Sequence, residues 1–199
     1  MKIRISPGAL LLILALAIGK DLLLPAYLIA AAVHECGHIL AARILGIRLR
    51  ILELDVAGAR LYPALPLPSY RAEALLAAAG PAASLLLGVI LLPYDAPFAS
   101  ILLFTTLSLA LFNLLPIDGF DGGRILSSLL SAPLGARVAQ RVIEVLSYLV
   151  LVFLFALSSC CLLRYGQNLA LAVLTASLFA RTFLLSSAKE RKQGQSKQT

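Results

Sequence analysis

The chain has 199 residues, of which 60% are hydrophobic and only 14% are charged, and its mean hydropathy is +0.94. These values lie outside the ordinary range of soluble domains and predict an all-α membrane protein that crosses the bilayer several times. The net charge of +7 does not indicate a nucleic-acid partner, because the basic residues lie between apolar segments rather than in one stripe. The three cysteines define neither a disulfide framework nor a cysteine-based zinc site.

The first apolar segment covers residues 6–19 and follows the basic residues Lys2 and Arg4. A basic start before a short apolar run is also typical of a cleaved signal peptide. We favour the other interpretation, a retained first span that is short or tilted. The second predicted span covers residues 22–45.

Both histidines of the chain belong to one motif, His34-Glu35-Cys36-Gly37-His38, near the end of the second span. On a helix, residues four positions apart lie on the same face, so the two imidazoles can bind one metal ion. Glu35 can take a proton from a metal-bound water, which makes it a candidate general base. A lone histidine on an apolar helix is more often a core residue, but ionisable groups at membrane depth are costly and favour a functional site.

The chain changes character after the second span. Apolar and acidic residues alternate over residues 52–56, which predicts a short strand or hairpin. The third predicted span covers residues 72–92, and small residues dominate its centre around Gly80 and Pro81. Such a face predicts close packing against a neighbouring helix, for which the metal-bearing helix is the best candidate. Pro81 is expected to kink or loosen the span.

The fourth predicted span covers residues 98–115 and leads into a segment broken by proline and glycine that contains Asp118 and Asp121. Irregular backbone with acidic residues at membrane depth is tolerated where it is buried in protein or lines a wet cavity. Residues 125–140 are interpreted as a connection. A fifth span at 142–163 and a sixth at 168–185 complete the predicted set of six.

The distribution of charge predicts the orientation in the membrane. With six spans and the N-terminus inside, every Lys and Arg except Lys20 and Arg164 lies on the cytoplasmic side. The positive-inside rule expects this bias, so both termini are predicted to be cytoplasmic and the histidine motif to lie nearer the cytoplasmic face. The spans form one predicted membrane domain over residues 1–188, and residues 189–199 form a polar cytoplasmic tail.

The histidine motif needs a further ligand. A catalytic zinc ion usually has three protein ligands and an open position for water, and the motif supplies two. A carboxylate from another span is the simplest third ligand. Asp118 and Asp121 are both candidates, because both follow the fourth span at the predicted level of the histidines.

Several separated motifs in this order resemble the site-2 proteases, a family of intramembrane zinc metalloproteases. They are the histidine motif, Gly80-Pro81, and Asn113-Leu114-Leu115-Pro116 followed by Asp121-Gly122-Gly123-Arg124. The predicted six spans, without an inserted PDZ domain or a C-terminal CBS domain, are most similar to the stage IV sporulation protein FB branch.

The resemblance implies one Zn²⁺ ion and a set of roles: His34, His38 and Asp121 as metal ligands, Glu35 as the base, and Asn113 as a residue that positions the substrate or the oxyanion. It favours Asp121 over Asp118 as the third ligand. Ser84 stands where relatives often carry a more strongly hydrogen-bonding residue, so no substrate role is expected for it. The implied substrate is a membrane-bound precursor protein, for example a pro-sigma factor during sporulation.

Two other classes of protein would use the same residues differently. A metal or ion transporter would use His34, His38 and Asp121 as a transit site, and its transport would survive Glu35→Gln. An inactive relative that acts as a membrane scaffold would be unaffected by changes at any of these positions. The expected partners are the bilayer and a membrane-protein substrate, while regulatory membrane partners and the oligomeric state stay open.

Overall fold

The computed structural model describes residues 2–5, 22–55, 58–63 and 69–165 of the chain. The elements in chain order are β1 (Lys2–Ile5), α1 (Leu23–Ile44), β2 (Leu49–Asp55), β3 (Gly58–Pro63), α2 (Tyr70–Leu91), α3 (Pro97–Asn113), α4 (Asp121–Leu134) and α5 (Ala136–Tyr165). The spans predicted at 6–19 and 168–185 and the predicted tail at 189–199 lie outside the described residues.

Three helices in the described part of the chain are long and apolar enough to cross a membrane: Leu23–Ile44, Tyr70–Leu91 and Ala136–Cys160. Their mean hydropathies are 1.4, 2.2 and 2.2. The helix at the fourth predicted span, Pro97–Asn113, is apolar but has only 17 residues. The prediction of a mostly helical membrane protein is therefore confirmed, whereas the count of six spans stays a prediction.

Helix α2 is the centre of the helical assembly, since it contacts α1, α3 and α4. It starts at an N-cap, where the Ser69 hydroxyl accepts a hydrogen bond from the Ala72 amide at 3.1 Å. The helix continues through Pro81, whose missing amide proton is tolerated inside an assembly of packed helices.

Helices α1 and α2 meet through residues that recur every four positions. The buried positions of α1 are Ala26, Ala30, His34, His38 and Ala42. On α2 the matching series is Ala72, Leu76, Gly80, Ser84 and Gly88. Because seven of these ten residues are alanine, glycine or serine, the two backbones can approach closely, as in other membrane helix pairs. A Cβ on Gly37 of α1 would overlap the Ala79 carbonyl oxygen of α2, so this approach requires glycine there.

The three strands form one sheet in the order β1-β2-β3. Strand β1 pairs with β2 in parallel, and β2 pairs with β3 in antiparallel orientation, with an irregular register between Leu49 and Ile51. Strand β3 also contacts α1. The sheet therefore joins the helical assembly next to the helix that carries the histidine motif.

The interpretation of residues 125–140 as a connection was wrong. Helix α4 covers Asp121–Leu134, and α5 begins at Ala136, six residues before the predicted fifth span at 142. The buried face of α4 consists of Asp121, Gly122, Gly123, Ser128 and Ser131. These residues are small or polar, whereas the apolar residues at helical spacing, Ile125, Leu126, Leu129 and Leu130, are half-buried or exposed, so no apolar stripe marks the buried face.

The chain divides into two compact units, residues 1–147 and 148–199. The first unit contains β1 to α4 and the start of α5, and it includes all of the predicted site residues. The described part of the second unit is the C-terminal portion of α5. Its large apolar side chains, such as Phe153 and Leu163, are mostly exposed, as expected for a surface that faces lipid.

Candidate metal centre

His34 and His38 lie one turn apart on the buried face of α1 and are only 3% and 4% exposed. Their rings meet edge to face, with centroids 5.0 Å apart. The two Nε2 atoms are 3.3 Å apart. The two histidines share one helix face, as predicted, and the Nε2 atoms of their rings therefore meet.

Asp121 reaches that point from the first turn of α4. Its Oδ2 lies 3.0 Å from His34 Nε2 and 3.2 Å from His38 Nε2. Zinc bonds of about 2.0–2.2 Å in tetrahedral geometry place neighbouring ligand atoms roughly 3.3–3.6 Å apart. The three atoms are therefore already within a few tenths of an ångström of the spacing that one zinc ion needs.

The hydrogen bond on the far side of the His38 ring indicates which of its nitrogens carries the proton. His38 Nδ1 lies 2.8 Å from the Leu76 carbonyl oxygen. Because a carbonyl can only accept, this nitrogen must be the protonated one, and the Nε2 of neutral His38 presents a lone pair. That lone pair faces the Oδ2 of Asp121, which is also an acceptor when ionised. A cation held between the two atoms satisfies both, so the donor set fits a zinc ion.

Gly80 allows α2 to pass directly behind this cluster. A Cβ at this position would overlap His38 Nε2 and would lie 2.7 Å from His34 Nε2. Any side chain here would occupy the space in which the two histidine nitrogens meet. Glycine at position 80 of the small-residue face therefore leaves room for the two histidine rings, in addition to permitting close helix packing.

Two further glycines explain how Asp121 is positioned. The turn before α4 contains Gly119, whose φ of 91° is strained for other residues. A Cβ on Gly122 would overlap the Leu114 carbonyl oxygen, and one on Gly123 would overlap the Ile117 carbonyl oxygen. The Asp-Gly-Gly sequence thus lets the start of α4 pack tightly on the segment that follows α3, which directs the Asp121 carboxylate at the histidines.

Glu35 is half-buried beside the two histidines. One of its carboxylate oxygens and a ring nitrogen of each histidine all lie within 4.8 Å of one another. This is close enough for the carboxylate to contact a water molecule bound to a metal at the cluster, as a general base must.

The other two candidates from the sequence, Asn113 and Asp118, lie in different environments. Asn113 is buried at the end of α3, where its Nδ2 donates a hydrogen bond to the Leu109 carbonyl at 3.0 Å. An amide nitrogen carries two protons, so one donor is engaged within the helix. Asp118 has an exposed side chain, and its backbone amide donates to Ser147 Oγ at 2.7 Å. Of the two aspartates, Asp121 is the one that contacts both histidines.

Sequence reasoning missed several residues around the cluster. The Ser84 hydroxyl lies 2.9 Å from His34 Nδ1, and the Leu76 carbonyl holds His38. Arg124 lies between two acids, with nitrogens 3.8 Å from Asp121 Oδ1 and 3.9 Å from Glu73 Oε1. The four-residue spacing of Leu76, Gly80 and Ser84 was a usable signal, since it places all three on one face of α2.

Comparisons with known proteins find similar sequences and a similar fold. Residues 94–157 match peptidase family M50. A zinc metalloprotease of Methanocaldococcus jannaschii is 29% identical over 139 residues, in a match that covers 63% of this chain and 40% of the relative. The chain thus spans less than half the length of this curated relative.

A solved structure, the site-2 protease from Methanocaldococcus jannaschii, superposes with a TM-score of 0.68. The match covers 92% of this chain and 89% of the solved chain at 23% identity, and it therefore establishes the fold. The family match covers the segment with Asn113 and Asp121, and the histidine motif lies before it. Residues 94–157 of the chain therefore match peptidase family M50, and the chain shares the fold of the solved site-2 protease.

Proposed function

We propose that the chain is an intramembrane zinc metalloprotease that hydrolyses a peptide bond in or near a transmembrane segment of a membrane-bound precursor protein. The observation that carries this proposal is the meeting of three potential ligand atoms, from α1 and α4, at separations of 3.0 to 3.3 Å. The M50 match and the site-2 protease fold support it. His34, His38 and Asp121 hold one zinc ion in this proposal.

When bound, the zinc ion supplies a water molecule of lowered pKa and polarises the scissile carbonyl group. Glu35 takes one proton from the attacking water as the new C–O bond forms. It then delivers a proton to the amide nitrogen as the C–N bond breaks, which completes the hydrolysis. Asn113 donates from its side-chain amide to the oxygen that gains negative charge.

A substrate must bring one of its carbonyl groups to three residues that are almost completely buried. His34, His38 and Asp121 are 3%, 4% and 6% exposed. A substrate helix hides its carbonyl groups in its own hydrogen bonds, so it has to unwind locally before attack. Edge pairing with the sheet next to α1 is one way to hold the unwound segment extended.

The charge distribution supports an orientation with both termini and the active site towards the cytoplasm. A cut made there would release the cytoplasmic part of a precursor. The resemblance to the stage IV sporulation protein FB branch supports a pro-sigma factor as one substrate of this kind.

The test compares membrane proteomes of cells that carry the wild-type chain, Glu35→Gln or the control Glu144→Gln. Glu144 is a half-buried helical glutamate that accepts a hydrogen bond from Gln140. We expect a precursor protein that is cut near its cytoplasmic membrane boundary in cells with the wild-type chain or the control. In cells with Glu35→Gln the same precursor should accumulate intact.

Identical proteomes from cells that express all three chains equally would contradict the proposed proteolytic function. Metal transport that survives Glu35→Gln would then favour a transporter that uses the same ligands. Absence of any effect of Glu35→Gln, His34→Ala and Asp121→Asn on proteome or transport would favour a scaffold.

A further inference from the structure

The two histidines of the cluster are held from behind by the same helix but through different kinds of group. His38 Nδ1 donates to a backbone carbonyl of α2, that of Leu76. His34 Nδ1 lies 2.9 Å from a side-chain hydroxyl of α2, that of Ser84. Ser84 lies eight residues after Leu76, two turns along the same face, with Gly80 between them.

A hydroxyl can donate or accept, so the Ser84 contact permits two tautomers of His34. If Ser84 donates, Nδ1 carries the lone pair and Nε2 carries the proton, which would then point at the ligand atoms. If Ser84 accepts, Nδ1 carries the proton and the Nε2 lone pair faces Asp121 Oδ2 and His38 Nε2. Only the second arrangement can bind a metal at the cluster.

We propose that Ser84 is a positioning residue for His34: its Oγ accepts the Nδ1 proton and thereby keeps the Nε2 lone pair directed at the zinc ion. This inference rests on the proposed zinc site. The hydroxyl group of a serine within a helix can donate a hydrogen bond to a backbone carbonyl one turn earlier. The lone pairs of Oγ then stay available to accept a hydrogen bond.

Burial gives this hydrogen bond its importance. Ser84 is 0% exposed and His34 is 3% exposed, so water cannot take over the role of the hydroxyl. Loss of Oγ would leave the Nδ1 proton of His34 without an acceptor, and the ring would be free to tilt or to change tautomer. Residues that orient a metal-binding histidine from behind typically change metal affinity by about 10- to 100-fold.

The experiment measures zinc binding by the purified full-length chain in lipid nanodiscs, with a chromogenic chelator as competitor. Ser84→Ala removes the acceptor, Ser84→Thr keeps it, and Ser128→Ala is the matched control. Ser128 is 3% exposed, and its Oγ has no hydrogen-bond partner among the residues that the structure describes. A second readout is the visible spectrum of the cobalt-substituted chains, which reports the geometry of the ligands rather than activity.

We expect Ser84→Ala to weaken zinc binding by about 10- to 100-fold and to change the cobalt spectrum. Ser84→Thr should stay within a few-fold of the wild type, and Ser128→Ala should match it in both readouts. Wild-type affinity and an unchanged cobalt spectrum in Ser84→Ala would overturn the proposal. If Ser84→Ala does not fold, Ser84→Cys decides, because its sulfur is a poor acceptor of similar size: wild-type affinity in that variant would also overturn the proposal.

The same data separate this inference from the proposed function. A wild-type chain that binds no zinc, or binds it equally well after His34→Ala, would remove the proposed zinc site itself. Zinc binding that requires His34 but not Ser84 would overturn only the positioning role of Ser84.

Discussion

Replacing Asp121 with Asn is expected to weaken zinc binding by at least about 100-fold, since even residues that only orient a ligand typically contribute 10- to 100-fold. The amide keeps the size of the carboxylate, but it has no negative charge and only one oxygen to offer the metal. The Asp121 Oδ2 atom lies 3.0 Å and 3.2 Å from the Nε2 atoms of the two histidines, so this substitution removes the negative charge at the point where the three atoms meet.

Asp118→Asn is the matched control for this change. Asp118 is three residues away, and it is exposed, whereas Asp121 contacts both histidines. Zinc content of the two purified variants, measured by inductively coupled plasma mass spectrometry after dialysis, distinguishes them. Loss of zinc from Asp118→Asn with retention in Asp121→Asn would exchange the roles that we assign to the two aspartates.

Gly80→Ala is expected to prevent zinc binding while the chain stays folded. The added Cβ would overlap His38 Nε2 and approach His34 Nε2 to 2.7 Å, so the two rings would have to turn away from each other. Overpacking of this kind typically costs about 1–3 kcal/mol. The higher helix propensity of alanine offsets about 1 kcal/mol of it, which leaves a small net loss of stability.

Gly88→Ala provides the control, because Gly88 lies two turns further along the same buried face of α2. A Cβ there meets the end of the Leu107 side chain at 2.9 Å, and this flexible group can move. Zinc content and melting temperature are measured for both variants. Zinc retained by Gly80→Ala with an unchanged cobalt spectrum would show that the ligand atoms do not converge beside Gly80.

The grouping of His34, Glu35 and His38 could be predicted from the sequence because their relation is local. Residues four apart in one helix share a face whatever the rest of the fold does. The choice of Asp121 over Asp118 was not local and depended on the resemblance to a family. The physical reason for it, the packing of Gly122 and Gly123 on the carbonyls of the preceding segment, requires the three-dimensional structure.

The bounds of α1, α2 and α3 could be predicted to within two residues, because continuous apolar composition identifies a span regardless of its neighbours, whereas α5 begins six residues before its predicted span. Helix α4 was not predicted: it buries Asp121, two glycines and two serines, while its apolar residues at helical spacing, from Ile125 to Leu130, are half-buried or exposed. Ser84 was set aside for a similar reason. A serine in a small-residue face is compatible with simple packing, and only the distance of 2.9 Å to His34 Nδ1 reveals a further role.

X-ray absorption spectroscopy at the zinc edge tests the central claim most directly, namely that His34, His38 and Asp121 hold one zinc ion. For the purified wild-type chain we predict one zinc ion per chain, two imidazole nitrogens at about 2.0–2.1 Å and oxygen ligands at about 2.0–2.2 Å. The Asp121→Asn chain should show no bound zinc. A sulfur ligand at about 2.3 Å, which Cys36 would supply, or a wild-type chain without zinc would contradict the account.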